Sequence, residues 1–93
     1  MLERERAEVI GLKALAWLAG NEELLPVFLG ATGASGDELA ERASDPAFLV
    51  SVLEFLMMDD AWVIAFCDTE GFSYETPMQA KQSLPGGEEV AWT

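Results

Sequence analysis

Histidine is absent, cysteine occurs once as Cys67, and only five of the 93 residues are basic. Each shortage removes a class of chemistry. Without histidine there is no histidine-assisted nucleophile. With one thiol and no imidazole, a zinc site lacks ligands. One cysteine cannot form a disulfide within the chain, so nothing indicates export to an oxidising compartment. Three of the basic residues, Arg4, Arg6 and Lys13, crowd into the first segment, which leaves no basic patch able to grip a nucleic acid. No apolar run reaches the roughly 20 residues of a membrane span. The opening Met1-Leu2-Glu3-Arg4-Glu5-Arg6 lacks the apolar core of a signal peptide. The glycines from Gly30 to Gly36 lack the lysine and preceding strand of a phosphate loop, and Asp68-Thr69-Glu70-Gly71 lacks the ligand spacing of a calcium loop. The expectation is a cytoplasmic, bacterial-type protein with no cofactor, no metal and no membrane segment.

Acids and apolar residues fill the space left. The chain carries 17 acids and a net charge of −12, while 51% of its residues are hydrophobic. That balance belongs to a folded domain rather than a disordered chain. Its length suits one domain. The negative field repels phosphates and attracts basic proteins.

The organising stretch runs from Asp45 to Asp59. Asp45 suits a helix N-cap and Pro46 the first helical position. Phe48, Val52, Phe55 and Leu56 recur at helical spacing, and Leu49 and Leu53 widen the stripe. Only the line Ala47, Ser51, Glu54, Met58 looks fit for water. A helix this apolar is buried on most of its surface. The others are expected to pack around it.

Five more helices are expected. The first covers 5–19, with Ala7, Ile10, Ala14, Trp17 and Leu18 inward, broadened by Leu12, Leu15 and Ala16. Gly20 ends it. The second covers roughly 22–30 after an Asn21 cap, with Pro26 delaying its regular part and Leu25, Phe28 and Leu29 inward. Ser35 and Glu38 match a capping box for a third, 36–43, with Leu39, Ala40 and Ala43 inward. Asp59 and Asp60 start the fifth, which Gly71 stops. Ser73 or Thr76 caps the sixth, and Pro85-Gly86-Gly87 ends regular structure. No strand signal appears. The fold class is therefore all-α: a compact bundle of about six short helices in a single domain, 1–87, followed by a tail, 88–93.

Sliding the chain on itself by 38 residues aligns Leu15 with Leu53, Trp17 with Phe55, Phe28 with Phe66, Gly33 with Gly71 and Ser35 with Ser73. Either the chain holds two helix triplets, 7–43 and 45–84, or two acid-capped helices of similar length match by accident. The sequence leaves both open.

Carboxylates are the only abundant reactive groups. Glu22-Glu23 and Asp59-Asp60 sit where helix starts favour acids, and a capping role suffices for them. Glu54 has apolar neighbours, and a desolvated glutamate serves as a general acid, but no partner for it is visible. Cys67 has no cation beside it and reads as a small core residue. In the tail, Trp92 and Val90 either anchor a partner protein or fold back on the helices.

The run Asp45-Pro46-Ala47-Phe48-Leu49, continuing through Val52-Leu53-Glu54-Phe55-Leu56 to Asp59-Asp60-Ala61-Trp62, resembles a family of short bacterial proteins known only as a domain of unknown function. Ala14-Leu15-Ala16-Trp17-Leu18-Ala19, the Phe28-Leu29 to Gly33 turn and Leu84-Pro85-Gly86-Gly87 are similar to it as well. The resemblance implies a helical bacterial protein and brings no activity and no site residues.

The functional reading at this point is a protein-binding module or small regulator whose partner is a protein, basic in character, and not an enzyme. The alternative is an acidic decoy that occupies the nucleic-acid-binding surface of another protein. A third class is an enzyme built on Glu54 or Asp59. Far-UV circular dichroism should be dominated by helix and lost in one cooperative transition; a strand-rich or coil spectrum would overturn the fold class.

Overall fold

The fold grows from the central helix. In the computed structural model, which describes residues 2–87, Asp45 accepts a hydrogen bond from the Ala47 amide at 3.0 Å and Pro46 takes the first position. The helix, α4, runs Pro46–Leu56, after α1 (Arg4–Ala19), α2 (Leu25–Thr32) and α3 (Leu39–Arg42). It is followed by α5 (Asp60–Glu70) and α6 (Thr76–Gln82). Val90 and Trp92 lie outside the described residues.

Seven of the α4 side chains are buried, from Phe48 to Leu56. Burying each large apolar side chain stabilises by about 1.5–3 kcal/mol before entropy is counted. The receiving surfaces are α1 and α6, which also pack on each other, so α1, α4 and α6 form a three-helix core. Gly11 lets α1 and α4 approach: a Cβ there would stand 3.1 Å from the Leu49 Cβ. No polar or charged side chain is buried among the described residues, so apolar burial, with little side-chain polar specificity, holds the core.

The 38-residue offset reappears in three dimensions. α1, α2 and α3 are followed in the same order by α4, α5 and α6. Gly33 and Gly71 both cap with positive φ, 73° and 74°, and donate to Leu29 and Cys67 respectively. Asn21 Oδ1 accepts from the Glu23 amide and Asp59 Oδ1 from the Ala61 amide, again the same offset. The aromatic contacts repeat as well. Phe28 of α2 meets Phe55 of α4 edge-on at 5.3 Å and 71°; Phe66 of α5 meets Trp17 of α1 at 6.1 Å and 70°. Each triplet thus inserts its second helix's phenylalanine against the other triplet's first helix. This agrees with a two-triplet arrangement. The third helices break the pattern, because α6 packs closely on both α1 and α4 and α3 does not.

Several local expectations are corrected. α2 starts at Leu25, not Glu22, because Pro26 belongs in the first turn; residues 22–24 form a separate turn capped by Asn21. It continues through Gly30 to Thr32. The predicted third helix splits into a 3-10 turn, Gly36–Glu38, and the four-residue α3. There Ser35 Oγ donates to Glu38 Oε1 at 3.1 Å, so the two capping-box side chains satisfy each other rather than the backbone. Leu12, Ala16 and Ala40, expected to face inward, are exposed; α1 packs through a narrower stripe than its composition suggests.

Phe55 is 5% exposed, packs edge-on against Phe28 and stacks on Trp62 at 5.1 Å. Phe55→Ala should lower stability by about 3–5 kcal/mol in urea unfolding, the usual range for a buried phenylalanine. A loss below about 1 kcal/mol would show that the site collapses freely and that this contact does not hold the triplets together.

Candidate functional site

The water-facing line of α4 is not simply a solvated face. Together with the last turn of α2, Arg42 and Lys81 it bounds an open groove of about 690 Å³. Phe48, Ser51 and Phe55 lie along it at helical spacing, so the groove follows α4 for about 10 Å at 1.5 Å per residue and reaches Met58 just past its end. Phe48 and Phe55 form a floor that is nearly covered, while Met58, 75% exposed, stands at the rim. Methionine is flexible and polarisable and adapts to differing apolar surfaces.

The groove's existence has a local cause, visible when the two triplets are compared. On the α1–α5 side, Lys13 Nζ reaches Glu70 Oε1 at 3.2 Å and spans the seam. The residues 38 places away from that pair are Ser51 and Thr32. Both are short, and both turn back to their own helices: Ser51 Oγ donates to the Ala47 carbonyl and Thr32 Oγ1 to the Phe28 carbonyl. Among the described residues no side-chain ion pair or hydrogen bond spans the α2–α4 seam, which is crossed by the Phe28 ring alone against Phe48 and Phe55.

Two of the five basic residues line this groove, in a chain with 17 acids. Neither adds net charge. The Arg42 guanidinium lies 5.6 Å over the Phe48 ring and pairs with Glu38 at 3.2 Å. Lys81 Nζ stands 3.9 Å from Glu54 Oε2, a loose and half-solvated pair. The walls are electrically balanced.

The residues singled out from the sequence fall in different places. Glu54 lines the groove but is exposed, without the desolvation a general acid needs. Asp59 caps α5. Cys67 is fully buried against the core, and burial, followed by the nearby Asp68 charge, pushes its thiol above its ordinary value of 9.0. Trp92 and Val90 lie outside the described residues. Ser51, Thr32, Arg42 and Lys81 were not picked out as a site. The 38-residue alignment held the signal, since it places a serine and a threonine opposite a lysine and a glutamate. Among the described residues no three potential metal ligands gather, and no helix is long and apolar enough to cross a membrane.

Fold and groove define a small all-helical domain with an open groove beside its central helix. The chain belongs to a family of helical bacterial proteins described as a protein of unknown function, DUF3572, whose profile matches residues 4–87. No curated protein and no solved structure matches it.

The Cys67 environment makes a measurable statement. A thiol whose folded pKa is raised stabilises the fold fully below its unfolded pKa, and that contribution is lost as pH rises through the folded value. Stability should therefore decline above about pH 9, and Cys67→Ala should flatten the decline. Thiol reagents at neutral pH should label the protein only after unfolding. Rapid labelling of the native protein would place Cys67 at the surface.

Proposed function

We propose that this protein is a cytoplasmic protein-binding module, and that the groove along α4 receives the partner. The observation that carries the reading is the open groove along α4, a strip floored by the nearly covered rings of Phe48 and Phe55 with Met58 exposed at its rim, between two balanced walls. Apolar anchors seated in such a strip supply most of an interface's energy, while the rest of the contact excludes water. The overall charge of −12 has a separate task. It extends well beyond the groove, speeds the approach of a basic partner and is screened over about 8 Å at physiological salt.

Affinity capture from the native cell, run with the natural chain and with a Ser51→Lys, Thr32→Glu double variant, tests the reading. The double variant places across the α2–α4 seam the pair that already closes the α1–α5 seam. The partner should be recovered by the natural chain and lost by the double variant. With the purified pair, added salt should slow association more than it speeds dissociation. A partner retained by a folded double variant would remove the groove from the account; an association rate indifferent to salt would remove the charge.

A further inference from the structure

The third helices of the two triplets occupy matching positions, yet only one of them is seated. Pro77 and Ala80 of α6 are fully buried, and α6 packs closely on both α1 and α4. The residues 38 places earlier are Leu39 and Arg42. An arginine where the other triplet has Ala80 is too large and too polar to enter the core. Its guanidinium stays outside, 5.6 Å over the Phe48 ring. Leu39 is only half-buried, and neither α3 nor the 3-10 turn before it holds a buried residue.

The bonds that order this segment are local. Ser35 donates to Glu38, Glu38 pairs with Arg42 at 3.2 Å, the Ala43 amide donates to the Leu39 carbonyl, and Ser44 Oγ donates to the Glu41 carbonyl. None of these joins the segment to another helix. Its ties to the core are the half-buried Leu39 and Ala43 and the Arg42 guanidinium on Phe48. A four-residue helix has almost no stability of its own, and a solvent-exposed cation over a ring is a weak contact. Both ends are pinned, by buried Ala34 before the segment and by the Asp45 cap of α4 after it. Gly36, with open space around it, gives the leading end a pivot.

The segment also stands between two cavities. Arg42 lines the groove beside Phe48. Ala40, Ala43 and Ser44 line a second cleft of about 330 Å³, bounded by Leu49 of α4 and Leu12 of α1. Phe48 and Leu49 are neighbours on α4, so α3 divides one cavity from the other.

We infer that residues 35–44 form a hinged flap, latched by Arg42 on Phe48, that opens as a unit from an otherwise folded domain and joins the two cavities across Phe48 and Leu49. Segments that open in this way have few buried apolar contacts and come from the least stable part of a fold. Opening is a property of the free chain and does not depend on what enters the groove.

The test is native-state hydrogen exchange on the full chain, read residue by residue. The amides of Leu39, Ala43 and Asp45, all hydrogen-bonded within the segment, report on the flap. They should exchange about a hundredfold or more faster than the slowest amides of α1 and α4. Low urea should leave the flap's rates nearly flat and raise the core's steeply, because only global unfolding exposes much surface. Phe66→Leu changes a fully buried ring whose ring partners, Trp17 and Phe72, lie outside the flap. It should speed core exchange about tenfold and leave the flap unchanged. Arg42→Ala should speed the flap about twofold to fivefold. Trypsin gives a second readout on the natural chain: it should cut after Arg42 before it cuts after Lys13 or Lys81.

Flap amides as slow as those of the core, or as steeply dependent on urea, would overturn the inference. So would flap amides that accelerate together with the core in Phe66→Leu, since that marks one cooperative unit. Should Phe66→Leu fail to fold, the urea dependence of the natural chain decides. A flap rate unchanged in Arg42→Ala would overturn the latch. Cleavage at Lys13 or Lys81 ahead of Arg42 would overturn the flap.

Discussion

The reciprocal insertion of two phenylalanines is the contact on which the rest of this fold depends. Phe28 leaves its own triplet to meet Phe55, and Phe66 leaves its own to meet Trp17. Neither triplet can bury its second helix without the other. Edge-on aromatic pairs gain about 0.5–1.5 kcal/mol beyond their buried area, but the larger effect is geometric. Each ring needs a first helix from the opposite triplet at a fixed distance, and the α1–α4 crossing at Gly11 and Leu49 sets that distance. A domain of 93 residues has a small core and little stability to spare. Sharing the core between two interlocked halves lets a chain with no disulfide among the described residues stay folded.

Much of this was legible from residues alone, wherever one helix decides its own fate. Asp45-Pro46 and Asp59-Asp60 announce starts, Gly71 announces a stop, and the four-residue water line of α4 is read off a single helical wheel. The misreadings share another cause. Leu12 and Ala40 are apolar residues at inward spacing whose exposure depends on which neighbour arrives and how closely. α3 has only four residues, too few for periodicity to speak. Ser35 and Glu38 have the right letters for a capping box, yet the 3-10 turn between them brings the side chains together first. Nothing local to either residue distinguishes the two outcomes.

The groove belongs to the second kind of feature. Ser51 alone reads as a polar residue on a wet face, and Thr32 as the end of a short helix. Their significance lies in what stands at the matching positions of the other triplet. Lys13 and Glu70 are long enough to bridge two helices; Ser51 and Thr32 are not. An exposed ion pair of this kind contributes about 0–1 kcal/mol. Leaving it out of one seam therefore changes stability little, and it leaves a groove there with Phe48 and Phe55 at its floor and Met58 at its rim.

That asymmetry separates the work of the two halves. A symmetric pair of closed seams would give a well-packed domain with no extended apolar surface. A symmetric pair of open seams would expose two such strips and invite association between copies. With the α1–α5 seam bridged by Lys13 and Glu70, the groove lies on the α2–α4 side. On the α2–α4 side the short side chains of Ser51 and Thr32, each turned back to its own helix, leave the groove unbridged, and that is a difference of two residues between otherwise matching halves.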